Sequence, residues 1–100
     1  ENRERAFFRA ADPLGFILFA RNCLDEDQVR ALILELKDCL GRDDVPILID
    51  QEGGRVQRQK PPRWRAAPAG ARFAALATRA EDDAVEAAWL NARLLACELA

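Results

Sequence analysis

Two carboxylates and two arginines lie close together in the segment DQEGGRVQR, residues 50 to 58. Asp50 and Glu52 are two positions apart, so an extended backbone would turn both side chains to the same side, with their backbone positions roughly 6.5 to 7 Å apart. Arg55 and Arg58 follow within the same segment. This cluster is where the sequence offers most chemistry.

Three interpretations of the cluster are open. Paired carboxyl groups roughly 5 to 9.5 Å apart perform acid/base and nucleophilic work in glycoside hydrolysis. A nearby arginine, however, lowers the pKa of a carboxyl group, whereas a general acid needs a raised pKa. The arginines therefore favour a binding role for Asp50 and Glu52, or simple loop ion pairs with Arg55 and Arg58.

Neighbouring residues add little chemistry of their own. Gly53-Gly54 lacks the spacing of a phosphate-binding loop and predicts a tight turn with positive φ. Arg21-Asn22 predicts a turn-forming role in preference to bracing the site. Trp64 is predicted to anchor its loop by packing, with stacking on a sugar as the alternative.

The elements around the cluster alternate between helix and strand. Residues 1 to 11 predict a short helix, and the apolar runs Gly15 to Ala20 and Ile47 to Ile49 predict two strands buried on both faces. Between them, helical spacing from Asp25 to Leu40 predicts an amphipathic helix that Gly41 ends. A helical crossover makes the two strands parallel, with the cluster at the carboxyl end of the second strand.

The second half is predicted to be less regular. Gln59 to Gly70 contains three prolines and predicts an ordered, irregular loop. From Asp82 onward apolar residues recur at helical spacing to the end of the chain. The first residue is Glu1 and the last, Ala100, lies inside an unfinished helical pattern, so we expect a segment of a longer protein.

Composition excludes some partners. With a net charge of -2 and mixed charges, the 100 residues provide no field that attracts nucleic acid or an anionic membrane. Three widely spaced cysteines predict neither a disulfide framework nor a zinc site but buried or half-buried free thiols, as in a reducing, cytoplasmic setting. No apolar run approaches the roughly 18 residues of a membrane span.

The strings GFILFARN and LIDQEGGRVQR together resemble the N-terminal part of family 3 glycoside hydrolases, in particular the bacterial β-N-acetylhexosaminidases of peptidoglycan recycling. The resemblance is firm from about Phe7 to Arg58 and looser to Ala100. It implies an α/β fold, with residues 1–100 forming the N-terminal portion of a (β/α)8 barrel truncated at its C-terminal end and also at its N-terminus.

The resemblance also implies a function and its residues. It implies cleavage of terminal β-linked N-acetylglucosamine from muropeptides in the cytoplasm, with retention of configuration and no cofactor. It places substrate binding at Asp50 and Arg58. The family's catalytic aspartate and Asp-His pair lie on later loops, and this chain has no histidine, so none of its residues is expected to be catalytic. A silent sugar-binding or interaction module, or a β-glucosidase relative, remain alternatives.

Overall fold

The computed structural model describes residues 2–100, which form two compact units divided between Ile49 and Asp50. The first contains α1 (Asn2–Ala11), β1 (Phe16–Leu18), a short 3-10 turn (Ala20–Asn22), α2 (Glu26–Leu40) and β2 (Ile47–Ile49). The second contains β3 (Gln51–Gly53), β4 (Val56–Gln57), α3 (Gly70–Ala77) and α4 (Glu81–Leu99). Within residues 2–100 no helix is both long and apolar enough to cross a bilayer.

Helix α2 begins and ends as its sequence predicts. Asp25 is the N-cap, and its carboxylate accepts a hydrogen bond of 2.8 Å from the backbone amide of Gln28. Gly41 follows the last turn with φ of 68°, a left-handed conformation in which its amide reaches the carbonyls of Lys37 and Asp38. The cap satisfies free amides at one end, and the glycine satisfies free carbonyls at the other.

The two strands of the first unit are parallel, as predicted. Phe16, Ile17 and Leu18 pair in register with Ile47, Leu48 and Ile49. The sheet is positioned against α1, because the ring of Phe8 meets the ring of Phe16 edge-on at a centroid distance of 5.1 Å. Together with α2 this forms one βαβ unit with a flanking helix. The α/β class is confirmed, while the complete barrel stays a prediction.

The prediction that both strands are buried on both faces was wrong. Leu18 is buried, but its neighbour Ile17 is 48% exposed and Leu48, directly opposite Ile17, is 55% exposed. Successive strand residues point to opposite faces, so helices α1 and α2 cover one face only. In the described part of this unit the other face, which carries Ile17 and Leu48, is about half exposed.

The first strand is also shorter than the predicted run Gly15 to Ala20. After Leu18 the backbone amide of Phe19 donates to the side-chain oxygen of Asn22 at 2.9 Å. The backbone amide of Asn22 donates in turn to the carbonyl of Phe19 at 2.8 Å. This local exchange satisfies the backbone within the turn, so it replaces pairing with a neighbouring strand.

The second unit contains one helix that the sequence did not predict. Helix α3 begins at Gly70, and its N-cap, Ala69, has no capping side chain. Helix α4 begins at Glu81, one residue before the predicted start, and carries acidic residues in its first turn. The segment between β4 and α3 is irregular, as predicted, and Trp64 within it is only 7% exposed.

Candidate functional site

A β-hairpin brings Asp50 and Arg58 together. Strands β3 and β4 pair antiparallel with Gln51 opposite Gln57, so the residues just outside that pair, Asp50 and Arg58, meet at the open end of the hairpin. The sequence predicted a polar loop here, and the structure corrects this. The segment lacks β-branched and aromatic residues apart from Val56, which is why its strand character is weak.

The Asp50 carboxylate and the Arg58 guanidinium form an ion pair, with Oδ2 of Asp50 3.2 Å from NH2 of Arg58. The Arg58 side chain is 25% exposed and the Asp50 side chain 44% exposed. A pair of such exposure contributes about 0.2 to 1 kcal/mol to stability. The main effect of the ion pair is on geometry, because each charged group fixes the position of the other while both remain partly exposed to solvent.

This arrangement decides among the pairings the sequence left open. Of the loop ion pairs that the sequence left open, the structure contains Asp50 with Arg58, whereas within the described residues Glu52 and Arg55 form no ion pair. Glu52 is exposed on the hairpin. The carboxylate of Asp50 can accept hydrogen bonds from hydroxyl groups and the guanidinium can donate several. A polyhydroxylated ligand fits both.

Two glycines let the hairpin turn against the chain that follows it. Gly53 and Gly54 have φ of 91° and 60°, which confirms the predicted positive-φ turn. A Cβ on Gly53 would collide with the carbonyl oxygen of Pro68 and lie 3.0 Å from that of Ala67. The amide of Gly54 donates to Ala67 O at 2.9 Å. The close approach therefore requires glycine.

Gln51 holds the backbone that carries Arg58. Its Oε1 accepts from the amide of Arg58 at 2.9 Å and from the amide of Gln59 at 3.1 Å, while its Nε2 donates to the carbonyl of Gln59 at 2.9 Å. Gln51 is buried. One side chain thus satisfies three backbone groups beside the ion pair.

Gln57 performs the same task further along the loop. Its Nε2 donates to the carbonyls of Gln59 and Arg65 at 2.8 and 2.6 Å, and its Oε1 accepts from the amide of Ala67 at 3.1 Å. Sequence reasoning missed both roles, because buried glutamine has no periodic signature and glutamine is mostly a surface residue. Three glutamines at positions 51, 57 and 59 were the available signal.

The remaining candidates have structural roles. Asn22 closes the turn after β1 as predicted, and the burial of Trp64 confirms packing and leaves no open ring face for a sugar. Cys23 and Cys39 are buried free thiols, and burial raises the pKa of Cys23. Cys97 is exposed, so the prediction of burial was wrong for that residue.

Comparison with known proteins gives a consistent result. The chain is 38% identical over 89 residues to a protein named β-hexosaminidase from Methylococcus capsulatus, covering 89% of this chain and 26% of that protein. It is 45% identical over 89 residues to one from Mannheimia succiniciproducens, covering 82% and 24%. It is 39% identical over 101 aligned positions to one from Aromatoleum aromaticum, covering 99% and 27%. Over most of its length, this chain is similar in sequence to bacterial proteins named β-hexosaminidase.

The similarity covers most of the chain but only part of each relative. The chain spans about a quarter of the length of these β-hexosaminidases. No protein-family model matches it, and no solved structure matches it significantly. The relationship to β-hexosaminidases therefore rests on the sequence of the curated relatives.

Proposed function

We propose that the protein to which this chain belongs is a β-N-acetylhexosaminidase of glycoside hydrolase family 3. Its substrate is a muropeptide with a terminal β-linked N-acetylglucosamine, which it removes with retention of configuration in the cytoplasm during peptidoglycan recycling. Residues 1–100 form part of its (β/α)8 barrel. The similarity to proteins named β-hexosaminidase over 89 to 101 aligned positions carries this proposal.

In this proposal Asp50 and Arg58 bind the sugar and do not react with it. Asp50 accepts hydrogen bonds from sugar hydroxyls, and Arg58 orients the carboxylate from 3.2 Å away and donates to a further sugar oxygen. The 3.2 Å pairing favours binding, because it places hydrogen-bond acceptors of a carboxylate beside hydrogen-bond donors of a guanidinium. The nucleophile and the proton donor lie elsewhere in the protein.

The proposal is tested with the full-length protein and an aryl N-acetyl-β-glucosaminide. Asp50→Ala leaves sugar hydroxyls without an acceptor, which costs roughly 1 to 3 kcal/mol and more where the lost bond is charge-assisted. We expect kcat/KM to fall about tenfold to several hundredfold. A slow fluorinated substrate should still label the variant, because the nucleophile is unchanged.

Matched surface variants control for loss of charge. Glu86 is exposed on α4 and Lys60 is exposed in the loop, so Glu86→Ala and Lys60→Ala should retain wild-type kcat/KM. If Asp50→Ala abolished labelling in a folded protein that still binds N-acetylglucosamine, Asp50 would belong to the chemistry and the assignment would be wrong. Sugar binding without any turnover by the wild-type protein would instead support a silent sugar-binding module.

A further inference from the structure

We propose that Gln51 is a positioning residue for the sugar site, acting through the backbone of Arg58. This inference rests on the proposed function of Asp50 and Arg58. The three hydrogen bonds of the Gln51 side chain are with backbone groups. One of these bonds, of 2.9 Å, is with the backbone amide of Arg58, which is adjacent to the Cα that carries the Arg58 side chain.

The hydrogen bonds around Gln51 fix both the position and the direction of that backbone. Its Oε1 bridges two consecutive amides, those of Arg58 and Gln59, and its Nε2 returns to the carbonyl of Gln59. Two amides converging on one oxygen define the orientation of the intervening peptide plane. The last register pair at this end of the hairpin is Gln51 with Gln57, and the next amide along the chain, that of Arg58, is held by the Gln51 side chain.

Gln57 provides a matched control because its environment is similar and its partners differ. Both glutamines are buried, lie opposite each other in the hairpin and bond three backbone groups. Gln57 binds Gln59, Arg65 and Ala67, and none of its bonds reaches Arg58. A general loss of loop order affects both variants, whereas displacement of Arg58 follows from the loss of Gln51 alone.

The experiment compares steady-state kinetics of Gln51→Leu and Gln57→Leu in the full-length enzyme on the aryl substrate. We expect Gln51→Leu to raise KM about tenfold with kcat within about threefold, since a small displacement of a binding group weakens substrate binding while the reacting groups stay in place. Gln57→Leu should leave KM within about twofold. KM does not depend on the fraction of folded enzyme, so partial misfolding does not obscure the difference.

Gln51→Asn is measured in parallel because it keeps a side-chain amide and alters the core less than leucine does. Its side chain is one methylene shorter, so the amide oxygen no longer reaches the backbone amides of Arg58 and Gln59. It too should raise KM with little change in kcat. An unchanged KM in either folded Gln51 variant, or an equal rise in Gln57→Leu, would overturn the positioning role. If Arg58→Ala raises KM while Gln51→Leu does not, this inference alone fails. An inactive wild-type enzyme would overturn the proposed function and this inference with it.

Discussion

The two units of the chain bury different kinds of side chain. In the first unit the buried residues are apolar or cysteine, namely Leu18, Cys23, Val29, Cys39 and Val45. In the second unit three glutamines, Gln51, Gln57 and Gln59, are buried together with Trp64, Ala67 and Ala84. Helices and paired strands satisfy their own backbone groups, whereas the irregular segment after the hairpin relies on side-chain amides to do so. Burial of polar groups therefore marks the segment that holds the candidate site.

The largest effect is expected where the hairpin meets the following loop. Gly53→Ala places a Cβ against two carbonyl oxygens at a backbone φ of 91°, so the loop must move. We expect a loss of more than about 3 kcal/mol in the free energy of unfolding. Gly41→Ala in the first unit is the control, because its φ is also positive but its Cβ meets open space, and it should cost only about 1 to 2 kcal/mol.

Chemical denaturation measures this difference with a separate probe for each unit. Both tryptophans lie in the second unit, and the two buried thiols, Cys23 and Cys39, lie in the first. Tryptophan fluorescence should report the decrease in the free energy of unfolding of Gly53→Ala. Thiol accessibility should report the smaller decrease in Gly41→Ala. Equal losses in the two variants would show that the close contact with Pro68 and Ala67 is unimportant.

A smaller effect is expected from the glutamine network. Gln57→Leu leaves up to three backbone groups without its amide, although the carbonyl of Gln59 retains the bond from Gln51. We expect a loss of about 2 to 3 kcal/mol, detected by tryptophan fluorescence, because each unsatisfied buried group costs about 1 to 3 kcal/mol and water restores part of it. Val29→Ala, which opens a cavity in the first unit, should lower the free energy of unfolding by about 2 kcal/mol, as measured by thiol accessibility. A neutral Gln57→Leu would mean that these amide bonds contribute nothing net.

The smallest effect is expected at the start of α2. Asp25→Ala removes the 2.8 Å bond to the amide of Gln28 and should destabilise the first unit by about 1 kcal/mol. Asp25→Asn keeps a capping oxygen and should recover most of the loss. If alanine and asparagine behaved alike, the cap would not be the cause.

The predictable parts of the fold are those with a local signal. The period of α2, its acidic start and Gly41 after its end together determine that helix, and the helical crossover determines the parallel pairing of β1 with β2. Helix α3 was missed because it starts at a glycine with no capping side chain. The exposed faces of Ile17 and Leu48 could not be predicted, because an apolar strand pattern does not say what covers it.

The candidate site was predictable in its residues and not in its support. The string from Asp50 to Arg58 indicated an arginine–carboxylate pairing, but the seven intervening positions leave the geometry open until the hairpin register is known. The burial of Gln51 and Gln57 depends on backbone groups of the loop near Arg65 and Ala67, which no local pattern reveals.

The most direct test of the account is a double-mutant cycle on Asp50 and Arg58 in the full-length protein, with kcat/KM on an aryl N-acetyl-β-glucosaminide as the readout. If the two residues bind the sugar as a pair, each alanine variant loses about tenfold or more, and the double variant loses much less than the product of the two. Multiplicative losses would contradict the paired site. Wild-type kcat/KM in both single variants would contradict the assignment of the sugar site to this hairpin.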